Sequence, residues 1–321
     1  MIAGKQLTIS ELLEGLPTNW GRWGDHDEIG GLNFLTPKEV ERGLSAIKKH
    51  TRFTLSVVIN HPQGDPLWPG RGAAIKPMTL DKGHYLVGKA QPFPGGLEYA
   101  DDYLCMFPQG TTHFDALGHP WYDDRLYNGY DPLTTIGGLA KASVLPLAMS
   151  AASGPAVLLD VARFRKKKSL ERAETVGLSD LLECAKQQKI TIEKHDILLL
   201  RTGWLATYYD SGPDVFYAKP FIEPGLTFSR ELVEWFHEME IPLLATDTIG
   251  NETTLEPNTG IAIPLHGALI RNLGVIFNEI VWLEALADDC AIDAQYRFFY
   301  TAAPLKISRG TGAPVNPIVL K

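Results

Sequence analysis

The sequence predicts a mixed α/β domain in which helices cover a largely buried sheet. Of its 321 residues, 45% are hydrophobic and 21% charged, values typical of globular proteins that form a core without disulfides. Through the second half of the chain, short apolar runs of strand length alternate with helical patterns. The composition shows no abrupt change, which favours one compact domain over residues 1–321.

Four segments have the apolar spacing of amphipathic helices. The first is predicted over residues 37–50, because Thr36 is a suitable N-cap and Pro37 suits the first helical position. The other three are predicted over residues 179–189 with Ser179 as cap, 229–240 with Ser229 at the start, and 265–272 before Gly274.

Five apolar runs have the length of buried strands, and such continuous runs are typical of a sheet covered on both faces. They are residues 53–59, 156–160, 197–201, 241–245 and 275–280. Between the first two runs, residues 60–96 are dense in Gly and Pro, which predicts a long irregular segment that surrounds a site.

Charge and cysteine content narrow the function. The formal net charge of −8 disfavours nucleic-acid binding, which needs a concentrated basic face. We expect no membrane span, because no apolar stretch reaches about 18 residues, and we expect a cytoplasmic location. The three cysteines form no CxxC pair, so a metal would be held by histidine nitrogens and by oxygens.

The segment 109–123, QGTTHFDALGHPWYD, carries the main chemical signal. His113 and Asp115 are two residues apart, and alternate side chains of an extended chain share a face, which Gln109 would also share. His119 lies four residues after Asp115 and reaches the same point through one turn or a tight bend. Imidazole and carboxylate are preferred ligands of Zn²⁺ and Mn²⁺. The alternative is that both histidines are hydrogen-bonded loop or core residues.

The segment resembles the HxGTHxDxxxH signature of the putative cyclase family, which includes bacterial kynurenine formamidase, isatin hydrolase and trans-dienelactone hydrolase. His113, Asp115 and His119 match the signature, whereas Gln109 replaces its first histidine. An amide oxygen at Gln109 is a possible ligand, or the side chain holds a ligand water. Further similar segments, in the expected order, are WGDHDEIGGLN near the start, DILLLRTGW, PLLATDTIGNE and PLHGALIRNLGVIFNEI.

The resemblance implies a swivelling β/β/α fold, a homodimer or homotetramer, and one or two bound Zn²⁺ or Mn²⁺ ions. It also implies metal-assisted hydrolysis of a small amide or lactone, with His119 as proton donor and acceptor. His266 and Glu279 match the family's remaining ligand positions. Glu279 also shares strand parity with Val275 and Phe277, and a carboxylate on an apolar face usually has a charge partner or a metal.

Substrate contacts are predicted from aromatic and acidic residues near the motif. Trp23 and Tyr122 belong to a set of aromatic residues that suits a small aromatic or cyclic substrate. Asp247 follows an apolar strand and is either the hydrogen-bond acceptor of a ligand histidine or part of an Asx turn with Thr248.

Two other function classes use part of the same pattern. His113, Asp115 and His266 would also suit a non-haem iron oxygenase, although that class has no use for His119. A non-catalytic metal-binding protein is the third hypothesis, since Gln109 departs from the family signature.

Overall fold

A nine-stranded mixed sheet forms the centre of the protein, in a computed structural model that describes residues 7–321. The first seven strands are β1 (Arg52–Thr54), β2 (Met78–Leu80), β3 (Asp101–Asp102), β4 (His113–Asp115), β5 (Ala152–Asp160), β6 (Thr175–Val176) and β7 (Ile197–Arg201). The others are β8 (Gly225–Leu226), β9 (Leu243–Thr246), β10 (Ile276–Glu279), β11 (Arg297–Ala302), β12 (Gly312–Pro314) and β13 (Ile318–Leu320).

The order of the large sheet is β1-β13-β11-β5-β7-β9-β10-β4-β12. Its middle strands β5, β7, β9 and β10 are parallel, and the strands outside them pair antiparallel. The predicted fold class is confirmed: this is one mixed α/β domain with a large curled sheet. The parallel strands are buried along their length, as their continuous apolar sequences predict.

Helices cover the sheet and connect its parallel strands. The α-helices of the described residues are α1 (Ile9–Leu13), α2 (Pro37–Leu44), α3 (Lys82–Leu86), α4 (Val144–Ser150), α5 (Val161–Phe164), α6 (Leu178–Gln187), α7 (Trp204–Ser211), α8 (Pro213–Phe216), α9 (Arg230–Glu238) and α10 (Glu284–Asp293). A π-helix spans His266–Leu273, and short 3-10 helices span Gly30–Phe34, Tyr127–Gly129 and Pro132–Thr135. Helix α2 packs directly on β5 because Gly43 has no side chain; a Cβ there would lie 2.6 Å from the carbonyl carbon of Gly154.

Most predicted elements are present, with shifted ends. Thr36 precedes α2 as predicted, but the helix ends at Leu44 and not at His50, because Lys49 and Thr51 donate backbone hydrogen bonds to Lys321. Gly177, not Ser179, precedes α6; the carboxylate of Asp180 accepts the Gly177 N–H and starts the helix earlier. The Ser229 cap of α9 is confirmed by its hydrogen bond from Leu232 N.

The Gly- and Pro-rich region forms an excursion from the sheet. Residues 60–73 run past the end of β4, and residues 74–107, which we call the arm, fold back on themselves through the β2–β3 pair and α3. Within the part of the chain that the structure describes, no helix is long and apolar enough to cross a membrane.

Candidate metal centre

The site begins with two residues that face each other across neighbouring strands. His113 of β4 is the register partner of Glu279 of β10 in an antiparallel pair. Directly opposed residues put their side chains on the same face of the sheet, and here His113 Nε2 lies 3.1 Å from Glu279 Oε2. The face of the strand that the sequence predicted for Glu279 is therefore the face that carries His113.

Asp115 completes a compact cluster with His113 and Glu279. Because β4 is extended, His113 and Asp115 project to one side, and His113 Nε2 lies 3.4 Å from Asp115 Oδ1. All three side chains are buried, and one donor atom from each lies within 4.8 Å of the other two. The hydrogen bond from His113 Nδ1 to the Thr111 carbonyl oxygen (2.7 Å) orients the imidazole, so Nε2 faces the carboxylates.

The unsatisfied atoms of this cluster fit a divalent cation. His113 Nε2, both carboxylate oxygens of Asp115 and Glu279 Oε1 are buried and have no hydrogen-bond partner within the described residues. Unpaired buried polar atoms are costly, so several of them facing one point indicate a cation-binding site. Tetrahedral zinc ligands stand about 3.4 Å apart, close to the separations seen here.

His266 adds a second imidazole from the opposite wall. It begins the π-helix, and its Nε2 lies 3.5 Å from Glu279 Oε1 and 3.9 Å from Asp115 Oδ2. Its Nδ1 lies 2.7 Å from Glu252 Oε1, and the same carboxylate accepts the backbone N–H groups of Leu265 and His266. Glu252 thus fixes the ring with Nε2 toward the cluster, as carboxylates do for metal-bound histidines.

The carboxylates of the cluster favour positive charge beside them. Burial opposes protonation of His113, but Asp115 and Glu279 outweigh it and raise the His113 pKa to about 9. Burial likewise opposes protonation of His266, whose pKa is raised to about 10 by Glu252 and Glu279. A bound cation would meet the same need for positive charge and displace these protons.

His119 is the site histidine that reaches solvent. Its side chain is 29% exposed, against 8% for His266 and 0% for His113, and its Nε2 lies 4.0 Å from Asp115 Oδ2. Burial lowers the pKa of His119 below its usual value, despite the opposing effect of Asp115. The imidazole is therefore neutral at pH 7 and able to accept a proton.

Gln109 lies four residues before β4 begins. Within the described residues, no hydrogen bond joins its side chain to His113, Asp115 or Glu279. Its side chain is buried, and its Nε2 donates a hydrogen bond to Thr311 Oγ1 at 3.1 Å. A role for its amide oxygen as a ligand stays a prediction.

Aromatic side chains flank His266. Tyr122 packs against Gly267, the residue that follows His266: a Cβ built at Gly267 would lie 3.4 Å from Tyr122 Cε1. A Cβ built at Gly250 would lie 3.9 Å from His266 Cε1 and 3.8 Å from Trp68 Cζ3, so Trp68 and His266 approach the same backbone point. Tyr122 also stacks under the Arg271 guanidinium at 3.8 Å and donates its hydroxyl hydrogen bond to Asn272, so its substrate contact stays a prediction.

Two predicted site residues have other contacts. Trp23 packs edge-on against Phe34 with ring centres 4.9 Å apart, and the guanidinium of Arg22 lies over its ring, while its substrate contact stays a prediction. Asp247 accepts hydrogen bonds from Thr202 N, Thr202 Oγ1 and Gly203 N. The carboxylate that accepts the hydrogen bond of His266 is Glu252, and this corrects the role considered for Asp247.

Glu252 and Arg71 are site residues that the sequence reasoning missed. The charge of Arg71 contributes to the lowered pKa of His119, and its Nη1 donates a hydrogen bond to the Gln109 carbonyl oxygen, four residues before His113. Its signal was weak, since one arginine in a Gly- and Pro-rich segment resembles any surface residue. Glu252 stands in the segment TDTIGNE, where its proximity to Asp247 drew attention to the wrong carboxylate.

Residues 53–253, which include His113 and Asp115, match the family model described as Putative cyclase. The chain belongs to the putative cyclase family. A crystal structure of a novel cyclase shares this cyclase fold at 36% identity, covering 95% of this chain and 98% of that chain, with a TM-score of 0.85. The predicted family and fold are thus confirmed.

Two isatin hydrolases show the same cyclase fold at lower identity. Isatin hydrolase A from Labrenzia aggregata, bound to benzyl benzoate, is 18% identical with a TM-score of 0.60, covering 88% of this chain and 97% of its own. An isatin hydrolase bound to the product analogue thioisatinate is 18% identical with a TM-score of 0.57, covering 84% and 92%. No curated protein matches the chain significantly.

Proposed function

We propose that this cyclase-family protein is a metal-dependent hydrolase that cleaves the carbon–nitrogen bond of a small aromatic or cyclic amide or formamide. The observation that carries the proposal is the buried group of His113, Asp115 and Glu279, whose donor atoms face one another without hydrogen-bond partners. Such a group is costly unless a cation is bound, and a site that binds a cation beside an opening suits hydrolysis.

The residues of the site have separate roles in binding the ion and in moving the proton. His113, Asp115, His266 and Glu279 would hold the ion, with Glu252 orienting His266. When bound, a divalent metal polarises a carbonyl and lowers the pKa of water. His119 is neutral and reaches solvent, so it takes the proton from the attacking water and delivers it to the leaving nitrogen.

An aromatic substrate is favoured by the residues around the opening. Trp68 comes close to His266 at Gly250, and Tyr122 packs against Gly267, the residue after His266. Isatin hydrolases of the same fold bind benzyl benzoate and thioisatinate, and both compounds pair an aromatic ring with a carbonyl-derived group. A lactone or ester would fit the same machinery and is the alternative substrate class.

A substrate screen separates these possibilities. Purified protein loaded with Zn²⁺ or Mn²⁺ is assayed on N-formyl aryl amines, isatin-like cyclic amides and small lactones, with and without chelator. Chelator-sensitive turnover of the amides supports the proposal, and turnover of lactones alone supports the alternative. Oxygen consumption with 2-oxoglutarate would instead indicate an iron oxygenase, and a metal-loaded protein that turns over nothing would indicate a non-catalytic metal-binding protein.

We also propose that the protein assembles with further copies of itself through the arm. Ten of its large apolar side chains are at least 44% exposed: Ile75, Met78, Leu86, Val87, Phe93, Leu97, Tyr99, Tyr103, Leu104 and Phe107. The four half-exposed aromatic rings alone present about 400 Å². With the six aliphatic chains, the area approaches the ~800 Å² per partner of a standard interface. A second copy of the apolar arm is favoured over a charged partner because charged side chains of the arm pair with one another, as in Lys76–Asp102 and Lys82–Glu98.

A cytoplasmic location stays a prediction from the sequence.

A further inference from the structure

Arg71 has a charge that no carboxylate neutralises. Within residues 7–321, the one hydrogen bond of its side chain runs from Nη1 to the Gln109 carbonyl oxygen at 3.1 Å, and no carboxylate lies within ion-pair distance. Arg201, by contrast, contacts Asp160 and Glu284 at 2.8 Å, whereas the buried Arg271 donates only to carbonyl and amide oxygens. A guanidinium offers five N–H donors, so Arg71 keeps four for a ligand.

The backbone holds Arg71 and Trp68 at the two ends of one tight turn. Arg71 N donates to the Trp68 carbonyl oxygen at 3.0 Å, and the residues between them are Pro69 and Gly70. Gly70 has a φ of 101°, a conformation that glycine adopts readily and that a turn with proline before it requires. The adjoining Leu67 is fixed at both its N–H and its carbonyl by the hydroxyl of Tyr217.

This turn lines a cavity of about 430 Å³. Trp68, one of its walls, lies 3.8 Å from a Cβ built at Gly250, and that Cβ would lie 3.9 Å from His266 Cε1. Its walls combine the apolar groups of Leu67, Trp68, Tyr217 and Phe221 with the cations Arg71 and Lys219 and the carboxylate of Asp65, which accepts the His61 N–H at 3.2 Å. The volume lies in the range of sites for small organic ligands. Asp65 makes no ion pair with Arg71 within the described residues, so the guanidinium beside these rings suits an aromatic ligand that carries a negative charge.

We propose that Arg71 binds an acidic group of the substrate, so the substrate class is an aromatic amide or formamide that carries a carboxylate. The guanidinium forms paired hydrogen bonds with the carboxylate, while Trp68 and Phe221 contact the ring and the scissile carbonyl points to the cluster. The reaction assigned to this substrate rests on the proposed function, whereas the binding of the acidic group does not depend on turnover.

Binding is tested with a matched pair of probes, benzoate and benzamide, titrated calorimetrically into the metal-loaded protein. Arg71→Met should weaken benzoate binding about 10- to 100-fold, the range expected for a hydrogen bond to a charged group, and leave benzamide unchanged. Arg71→Lys should retain part of the benzoate affinity, because it keeps the charge without the paired donors. Arg309→Met is the control: that guanidinium donates to the Ile136 and Gly138 carbonyl oxygens far along the chain and should have no effect.

Turnover is tested with 2-formamidobenzoate and formanilide, which differ only by the carboxylate. The wild type should prefer 2-formamidobenzoate in kcat/KM, through KM, and Arg71→Met should abolish the preference. Equal benzoate affinity in wild type and Arg71→Met would overturn the proposal, as would a wild-type enzyme that prefers formanilide. If neither compound is hydrolysed, the proposed function fails for this bond, and the benzoate titration still decides the role of Arg71.

Discussion

His113 and Glu279 are separated by more than half of the chain, yet they are register partners on β4 and β10, with 3.1 Å between His113 Nε2 and Glu279 Oε2. The rigid antiparallel pair therefore sets the width of the proposed metal site. Glu279→Gln keeps the shape of the side chain but removes its charge. We expect metal affinity to fall at least tenfold, as measured by competition with a chromophoric chelator. Unchanged affinity would remove Glu279 from the ligand set.

His119 should affect the rate of the reaction without affecting metal content. It is the most exposed histidine of the site and lies 4.0 Å from Asp115. His119→Gln should lower kcat by about 10²–10⁴-fold, the usual contribution of a general acid–base residue, and should leave the metal stoichiometry at the wild-type value. Metal content and kcat are measured on the same preparation. Loss of the ion together with the rate would make His119 a ligand.

Glu252 should act through His266. Because its carboxylate fixes Nδ1 of that ring, Glu252→Gln should weaken metal binding by about 10- to 100-fold. Glu256→Gln is a matched control, since Glu256 is equally buried four residues later but accepts its hydrogen bonds from Asn258 and Thr259. Equal effects of the two substitutions on metal affinity would show that the loss is a general consequence of disturbing this loop.

Glu240 should make stability depend on pH. Burial works to raise its pKa, but hydrogen bonds from Arg22 and His195 outweigh it, so the pKa of Glu240 is lowered when the protein folds. A lowered carboxyl pKa stabilises the fold above the unfolded value, near 4.5, and this stability is lost as pH falls through the folded value. Glu240→Gln should cost about 1 kcal/mol at pH 7, typical of a partly exposed pair.

Urea unfolding at pH 7 and at pH 3.5 measures this difference. The difference in the free energy of unfolding between wild type and Glu240→Gln should be smaller at the lower pH. Glu238→Gln, an exposed neighbour on α9, should behave as wild type at both. A gap that grows on acidification would show the opposite sign of linkage.

The arm should control assembly. Leu86 and Val87 are 76% and 68% exposed at its tip, and a double change to glutamate would place two charges in the proposed interface. We expect sedimentation velocity to show a homodimer or larger species for wild type and a monomer for Leu86→Glu/Val87→Glu. Ile292→Glu, at an 85% exposed position of α10, is the control and should assemble normally. A monomeric wild type would refute the proposal.

The sequence predicted those parts of the site that depend on local geometry. His113 and Asp115 share a face because β4 is extended, and alternation along a strand is readable from spacing. The apolar parity around Glu279 likewise pointed to a buried carboxylate. The mixed α/β class followed from the continuous apolar runs that became the parallel strands.

The remaining contacts depend on how distant segments meet, and spacing does not encode that. Glu252 reaches His266 only because the loop after β9 folds back to the start of the π-helix. Arg71 reaches the Gln109 carbonyl oxygen from a turn at Pro69 and Gly70, and the neighbouring Leu67 is held by Tyr217, 150 residues away. Trp23 was assigned to the site from its residue type, and its contacts with Phe34 and Arg22 could not be inferred from that type.

Metal analysis of the purified protein tests the central claim most directly. Wild type and Asp115→Ala are dialysed against metal-free buffer and measured by inductively coupled plasma mass spectrometry, with hydrolysis of an aryl formamide followed in parallel. The His113–Asp115–Glu279 centre predicts one or two equivalents of Zn²⁺ or Mn²⁺ in the wild type, and neither metal nor activity in Asp115→Ala. A metal-free wild type, or an Asp115→Ala variant that keeps both ion and activity, would contradict it.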